Sequence, residues 1–271
     1  MKTDDKKRAI VHYLPVFGCA STGIIYLAIG VIAILSFLKL KDGGADESSL
    51  LVFLDSYFLG KILNLVILLG TICYILWRIY ETIKDPYGYG KDARGLARRA
   101  GIALSTIADA LIAYTAIEVL LGIGNIPENG EPEEQRQMVR SLLEENWGDW
   151  FIISLGVIVC TTALVQFFYG VTRGYKERLD IAQFSSGTKK LIHLLAWIGY
   201  LARGIILGII GFFFLKAGLL DDARFVVNTD KAFDFIGDHV GHVYFILVAL
   251  GTICYGLFMF SLGVSYDIDA D

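Results

Sequence analysis

Two ionisable residues, Asp109 and Arg203, lie inside long apolar stretches of this sequence. An ionised side chain in hydrocarbon is costly, so such residues usually face a partner or a water-filled cavity. In the repeat frame described below they are two positions apart, which places them within about 3 Å of each other in depth. We therefore predict that they approach directly or through water and line a path for a substrate or a proton. The alternatives are a structural ion pair, or an Arg203 side chain that extends to the cytoplasmic headgroups.

Further polar residues recur at equivalent positions of the repeats and are predicted to bind substrate. They are Thr71, Thr252, Arg78, Gln166, Lys61, Asp149 and His242. Lys61, Asp149 and His242 each follow a glycine at the start of a span. In a closed ring of helices they would form a mixed-charge triangle near the outer mouth. The alternative is that helix starts at a membrane interface are simply polar.

The other candidates lie deeper in the spans. Thr71 and Thr252 are mid-span, where a hydroxyl can instead bond to a carbonyl of its own helix. Arg78 and Gln166 share a position at the inner mouth. Four tyrosines are also expected to line a lumen, namely Tyr26, Tyr74, Tyr114 and Tyr255.

Catalytic and metal-binding motifs do not emerge from the sequence. It has no Gly-rich phosphate loop, nucleophile elbow, metalloprotease helix or dinucleotide fingerprint. His239 and His242 are spaced for a metal but have no clear third ligand. The four cysteines fall inside spans and match neither a zinc site nor a disulfide framework. We predict no catalytic residue, no cofactor and no metal, and the net charge of −4 gives no reason to expect nucleic acid.

The apolar residues indicate an integral membrane protein. They make up 55% of the 271 residues and occur in blocks. A hydrocarbon core about 30 Å thick requires roughly 20 apolar helical residues. Stretches of that kind occur at about 16–38, 59–77, 101–122, 150–172, 191–215 and 241–264. The sequence therefore predicts one all-α transmembrane domain over 1–271 with six spans.

The spans belong to an internal repeat. The sequence of residues 69–74 recurs letter for letter at 250–255, and in the diverged middle copy Gly148 corresponds to Gly60 and Gly241. We predict three repeats of span, short interfacial helix and span, at 16–84, 101–173 and 191–265. Repeats with two spans share one orientation, so they relate by an axis along the membrane normal. A ring with pseudo-threefold symmetry is the simplest closure, and a linear row of helix pairs is the alternative.

The charges of the loops predict the orientation of the protein in the membrane. Basic residues dominate on one side of the spans and acidic residues on the other. Cytoplasmic loops carry an excess of Lys and Arg, so both termini are expected in the cytoplasm. The basic start is followed by an apolar stretch too long for a signal peptide, which we interpret as the first span.

Short motifs resemble a known family. They are the Gly-hydrophobic-hydrophobic-Tyr pattern at 23–26, the run Ala202-Arg203-Gly204, and Gly70 with Tyr74, Trp77 and Arg78. With its three helix pairs, nearly the whole chain resembles the bacterial membrane family catalogued as domain of unknown function 1206. The family pattern places Arg before the glycine of the odd spans, where this chain has Arg203 but also Thr22 and Ile107. The resemblance implies the bacterial inner membrane and no established activity.

These observations favour passage or binding of a small solute or lipid through the helix ring. The alternative is a non-transporting scaffold or accessory subunit whose function lies in a protein partner, which the modest number of buried polar groups favours. An enzyme acting on lipid is a third possibility. A water-filled cavity would support passage, a lipid-facing groove would support binding, and a solid bundle would support the scaffold.

Overall fold

The computed structural model describes residues 2–40, 44–123, 130–179, 181 and 184–265. In this part of the chain every regular element is helical, as predicted. The helices are α1 (Lys2–Phe37), α2 (Glu47–Asp55), α3 (Phe58–Lys84), α4 (Ala93–Leu121), α5 (Glu133–Leu143), α6 (Gly148–Thr172), α7 (Ser186–Leu219), α8 (Thr229–Phe235) and α9 (His242–Val264). Short 3-10 turns occupy Gly174–Arg178 and Ala223–Phe225, and a π turn occupies Ile236–Val240.

Within the described residues, five helices are long and apolar enough to cross a membrane. Their segments are Tyr13–Phe37, Phe58–Lys84, Gly148–Thr172, Ser186–Leu219 and His242–Val264. The α4 helix has 29 residues, long enough for a bilayer, but is not among the five. It contains Asp109 and Glu118 and begins with a basic segment. The multi-pass class is therefore supported by five helices, and the sixth span stays a prediction.

Glycines set the closest contacts between the long helices. A Cβ on Gly256 of α9 would lie 2.6 Å from the backbone nitrogen of Leu27 on α1. A Cβ on Gly211 of α7 would lie 2.7 Å from the backbone nitrogen of Cys160 on α6. Larger residues cannot occupy these positions without moving a helix. Close packing of this kind drives helix association in lipid, where there is no hydrophobic force between helices.

The long helices follow one another in space in the order α4, α3, α1, α9, α7 and α6, each packed against the next. The α1–α9 contact joins the first and third repeats, α3–α4 joins the first and second, and α6–α7 joins the second and third. Each repeat therefore contacts both others. Within the first and third repeats the two spans also pack together. In the middle repeat, α4 and α6 make no comparable contact among the described residues.

Short helices connect the two long helices of each repeat, where the sequence predicts amphipathic helices. Asp46 caps α2 by accepting from the backbone nitrogens of Ser48 and Ser49, and Asn228 caps α8 by accepting from that of Lys231. Such caps satisfy N–H groups that a helix start leaves unpaired. The helices are confirmed, and their position at the membrane interface stays a prediction. We call the segments around α2, α5 and α8 the three connectors.

Candidate functional site

A small cavity of about 50 Å³, whose mainly apolar wall carries a few polar groups, lies between the first and third repeats. Its walls come from α1, α2, α7, α8 and α9. The lining residues are Tyr26, Glu47, Arg203, Ile206, Leu207, Thr229, Thr252 and Tyr255. One water requires roughly 10–15 Å³ of such space. The cavity therefore has room for a few waters or for a ligand of comparable size.

Arg203 carries the positive charge of this cavity. Its Nη1 donates a hydrogen bond to the Tyr255 hydroxyl. Its guanidinium lies 4.9 Å from the ring centroids of both Tyr26 and Tyr255, within the range of cation–π attraction. Its Nε is buried and has no hydrogen-bond partner among the described residues. Arg203 therefore has donor capacity left for a ligand.

Small residues bring the aromatic wall against Arg203. Gly199 lies one turn before it on α7, and a Cβ there would be 2.6 Å from the Tyr255 Cα. On the facing helix, a Cβ on Gly251 would be 2.5 Å from the Cβ of Ala202. The α7 and α9 backbones thus nearly touch beside the arginine. The ring of Tyr255 also packs edge to face on Tyr26 at 5.1 Å, which fixes the orientation of both phenols.

Glu47 and Thr229 form the cavity wall on the side of the connectors. Thr229 Oγ1 donates to Glu47 Oε2 at 3.2 Å, so the two residues join the first connector to the third. Burial raises the pKa of Glu47, and the neighbouring Asp46 adds to the effect. The hydrogen bond from Thr229 and the charge of Arg203 act in the opposite direction. A protonatable carboxyl therefore shares the cavity with a guanidinium.

The first and third connectors meet again at Asp230. The backbone nitrogen of Ala45 donates to Asp230 Oδ1 at 2.6 Å. Burial raises the pKa of Asp230 to about 7, although the bond from Ala45 favours the ionised form. This contact between repeats therefore changes its charge near neutral pH.

The third connector is also tied to the second. Asn228 Nδ2 donates to the Gly130 carbonyl at 3.0 Å. Lys231 Nζ lies 2.9 Å from Glu131 Oε1 and 3.1 Å from Asp234 Oδ2. Burial lowers the pKa of Lys231, but these carboxylates outweigh it and raise that pKa to about 12. All three connectors thus join in one layer beside the cavity.

Comparison with known proteins identifies the family. The family model described as Domain of Unknown Function (DUF1206) matches residues 17–85, 100–173 and 198–265. This chain belongs to the DUF1206 family. The three matches confirm the family and its tandem repeats. The chain is also 28% identical over 250 residues to the uncharacterized protein YxxB of Bacillus subtilis (strain 168), covering 91% of this chain and 88% of that protein. No solved structure matches it.

In this DUF1206 protein, Asp109 and Arg203 form no direct ion pair in the described part of the chain. Arg203 lines the cavity and bonds to Tyr255, whereas Asp109 lies half-buried on α4. The positive charges of Arg78 and Arg203 both attract the Asp109 carboxylate, and the attraction from Arg78 is the stronger of the two. The reason is the helix order, because α4 packs on α3, which carries Arg78. An approach of Asp109 to Arg203 through water stays a prediction.

The two equivalent threonines have different surroundings. Thr252 lines the cavity, and its hydroxyl donates to the carbonyl of Val248 at 2.9 Å, the local bond that the alternative predicts. The hydroxyl of Thr71 lies 3.0 Å from that of Ser21 and joins α3 to α1 away from the cavity. The same repeat position thus lines the cavity in the third repeat and forms a contact between helices in the first.

The residues predicted at the inner mouth do not line the cavity of the DUF1206 protein. The guanidinium of Arg78 lies 4.8 Å from the Tyr74 ring centroid. Gln166 is half-buried on α6, which contributes no cavity residue. Their role in binding stays a prediction.

The predicted triangle of Lys61, Asp149 and His242 has no mutual contact among the described residues. All three are exposed. Lys61 Nζ lies 3.6 Å from Asp55 of its own repeat, and the His242 ring packs edge to face on Phe37 at 5.2 Å. No group of three His, Cys, Asp or Glu side chains in the described part of the chain has metal-binding geometry. A shared role for the triangle stays a prediction.

Two cavity residues, Glu47 and Thr229, are absent from the sequence candidates. They lie in the connectors, which the sequence places at the interface rather than in the core. A signal for Glu47 does exist. Glu47 directly follows Asp46 at the start of α2. Asp46 alone caps the helix, so the carboxyl of Glu47 is not needed for capping. Of the predicted lumen tyrosines, Tyr26 and Tyr255 line the cavity, whereas Tyr114 is exposed on α4.

Proposed function

We propose that this DUF1206 protein binds a small polar solute in the Arg203 cavity and passes it across the bacterial inner membrane. The observation that carries the proposal is the buried Nε of Arg203, which has no hydrogen-bond partner among the described residues. A buried charge without a direct counter-charge costs several kcal/mol. A ligand with an acceptor or a negative charge recovers part of that cost. The cavity is too small for a lipid headgroup with its glycerol, which favours a solute.

The same proposal includes six spans around a pseudo-threefold axis along the membrane normal. The length of α4 and the order of the long helices support it, because each repeat contacts both others. A linear row in chain order would leave the first and third repeats apart. The contacts that join the three connectors support their placement on the same, outer side of the membrane. The basic and acidic loops support cytoplasmic termini.

A non-transporting scaffold is the second candidate. The tight glycine contacts between α1 and α9 and between α6 and α7 support it, as does the small volume of the cavity. In a scaffold the cavity would be a structural polar site, and the function would lie in a protein partner.

Solute entry into liposomes tests the proposal. Purified full-length protein is reconstituted, and stopped-flow light scattering follows osmotic recovery with urea, glycerol, formamide, sodium formate or sodium nitrate outside. We expect faster recovery than in empty liposomes for at least one solute. Leu207→Trp fills the cavity and should abolish the effect. Ile205→Trp is the matched control, because Ile205 is 45% exposed on the same helix and should keep it. No acceleration for any solute favours the scaffold.

A further inference from the structure

We infer that the Arg203 cavity binds a small inorganic monoanion, such as a halide or nitrate, and that Glu47 takes up a proton with it. This inference rests on the proposed function and names the ligand class of the same site. It follows from the hydrogen-bonding state of the lining groups, from the size of the cavity, and from its charge balance.

The lining groups leave donors free for an anion. A guanidinium only donates hydrogen bonds, whereas a hydroxyl both donates and accepts. The Tyr255 hydroxyl accepts from Arg203, so its own proton remains available. The hydroxyl of Thr252 is used by the Val248 carbonyl. The donors that remain beside the charge are therefore the other N–H groups of the Arg203 guanidinium and the phenols of Tyr255 and Tyr26.

Size and charge restrict the anion. A volume of about 50 Å³ suits a monatomic or small planar ion better than a sugar, a nucleotide or a larger carboxylic acid. Arg203 is the only cation among the lining residues of the described cavity. A dianion such as sulfate would bring a second charge that no lining residue neutralises, which favours a monoanion.

Glu47 sets the charge balance of the occupied cavity. An anion and Arg203 together are neutral, but an ionised Glu47 would add an unpaired negative charge and repel the anion. Burial raises the pKa of this carboxyl, which favours its protonated form. Anion affinity should therefore rise as the pH falls through the pKa of Glu47.

Other titratable and charged groups surround Glu47 on each side. They are Asp46 on its own connector, Tyr26 on α1, Arg203 on α7 and Tyr255 on α9, and Asp230 and Lys231 directly follow its hydrogen-bond partner Thr229 on α8. On α3 and α4, which also pack against α2, Lys61 pairs with Asp55 and Glu118 bonds to Tyr114. Asp230 titrates near neutral pH, so the Glu47 variant is needed to assign the pH effect.

Thermal unfolding of the purified full-length protein tests the anion site. Sodium bromide and sodium nitrate are titrated at constant ionic strength against sodium gluconate, whose anion is too large for the cavity, at pH 5.5 and pH 8. We expect a saturable rise of the midpoint with bromide and nitrate but not with gluconate, and tighter binding at pH 5.5. Glu47→Gln, which keeps an acceptor for Thr229, should bind equally well at both pH values.

Variants of the donors separate this site from general salt effects. Arg203→Gln should lose the bromide response, while Arg224→Gln removes an exposed arginine and should keep it. Tyr255→Phe removes one hydrogen bond and should weaken bromide binding about tenfold. It keeps the arginine, so it decides the question if Arg203→Gln does not fold.

Two results would overturn the inference. One is an equal response to gluconate and bromide, and the other is unchanged bromide affinity in Tyr255→Phe. The liposome assay distinguishes this failure from that of the proposed function. Entry of urea or formamide without bromide binding retains passage and excludes the anion. Bromide binding without entry of any solute supports the anion site and excludes passage.

Discussion

The contact between α1 and α9 predicts opposite effects for the same substitution at two glycines. Gly256→Ala should destabilise the protein, whereas Gly208→Ala should leave it unchanged or slightly more stable. Both residues lie inside long helices, so the intrinsic gain in helix propensity is the same, up to about 1 kcal/mol. The difference lies only in what the added methyl group meets.

The distances give the size of the effect. A Cβ on Gly256 would lie 2.6 Å from the Leu27 nitrogen and 2.8 Å from the Gly23 carbonyl oxygen. Both are backbone atoms, so no side-chain rotation relieves the clash. Ordinary contacts of carbon atoms are about 3.5–4.0 Å, so α1 and α9 must separate by about 1 Å. Overpacking of this kind costs about 1–3 kcal/mol, or a lowering of the unfolding midpoint by roughly 2–12 °C.

In the control variant, Gly208→Ala, the added methyl group makes only a normal van der Waals contact. A Cβ on Gly208 would lie 3.9 Å from the Cβ of Ala163, a normal van der Waals distance. The assay is the thermal unfolding midpoint of both variants in one detergent, with size-exclusion profiles to establish that each is monodisperse. Equal midpoints for the two variants, or a higher one for Gly256→Ala, would refute the argument that backbone contact at Gly256 holds α1 against α9.

Other predictions concern topology, pH and charge coupling. In a cysteine-free background, Ser56→Cys should react with an impermeant thiol reagent outside the cell, and Lys91→Cys only after permeabilisation; the reverse pattern would invert the orientation. The folded protein holds the Asp230 proton up to a pKa of about 7, against an ordinary value of 3.8, so stability should fall as the pH rises between them. Asp230→Asn should flatten that slope in unfolding measured from pH 4 to pH 8, and an unchanged slope would exclude Asp230 as its origin. A double-mutant cycle of Asp109→Asn with Arg78→Gln should give a coupling of about 0.5–1.5 kcal/mol, whereas simple additivity would show that the two charges do not interact.

Much of the helix arrangement is predictable because hydropathy reports it directly. The apolar stretch at 191–215 marks the centre of α7, but the helix itself runs from Ser186 to Leu219. Its extra length begins at Ser185, which accepts from the backbone nitrogen of Thr188 as a cap. Hydropathy detects the part of a helix suited to hydrocarbon, whereas caps determine where the helix ends. The connector helices are also predictable from the sequence, because each connector has its own amphipathic pattern.

Which residues form the site is less predictable, because two residues at the same depth in the membrane need not be in contact. Asp109 and Arg203 have similar repeat positions, yet their proximity depends on which helices are neighbours. The order α4, α3, α1, α9, α7 places Asp109 beside the helix of Arg78. The Glu47–Thr229 bond joins residues 182 positions apart and depends on how two connectors meet. No local pattern in the sequence specifies that meeting.

The divergence of the repeats explains why the cavity lies between two of them. The position before the glycine of the odd spans holds Thr22, Ile107 and Arg203, so only the third repeat supplies a charge. The opposite wall comes from the first repeat through Tyr26 and Glu47, at the repeat boundary where α1 meets α9. The middle repeat contributes to the layer of connectors but not to the cavity wall. The site is therefore asymmetric, because its guanidinium comes from the third repeat and its carboxyl from the first.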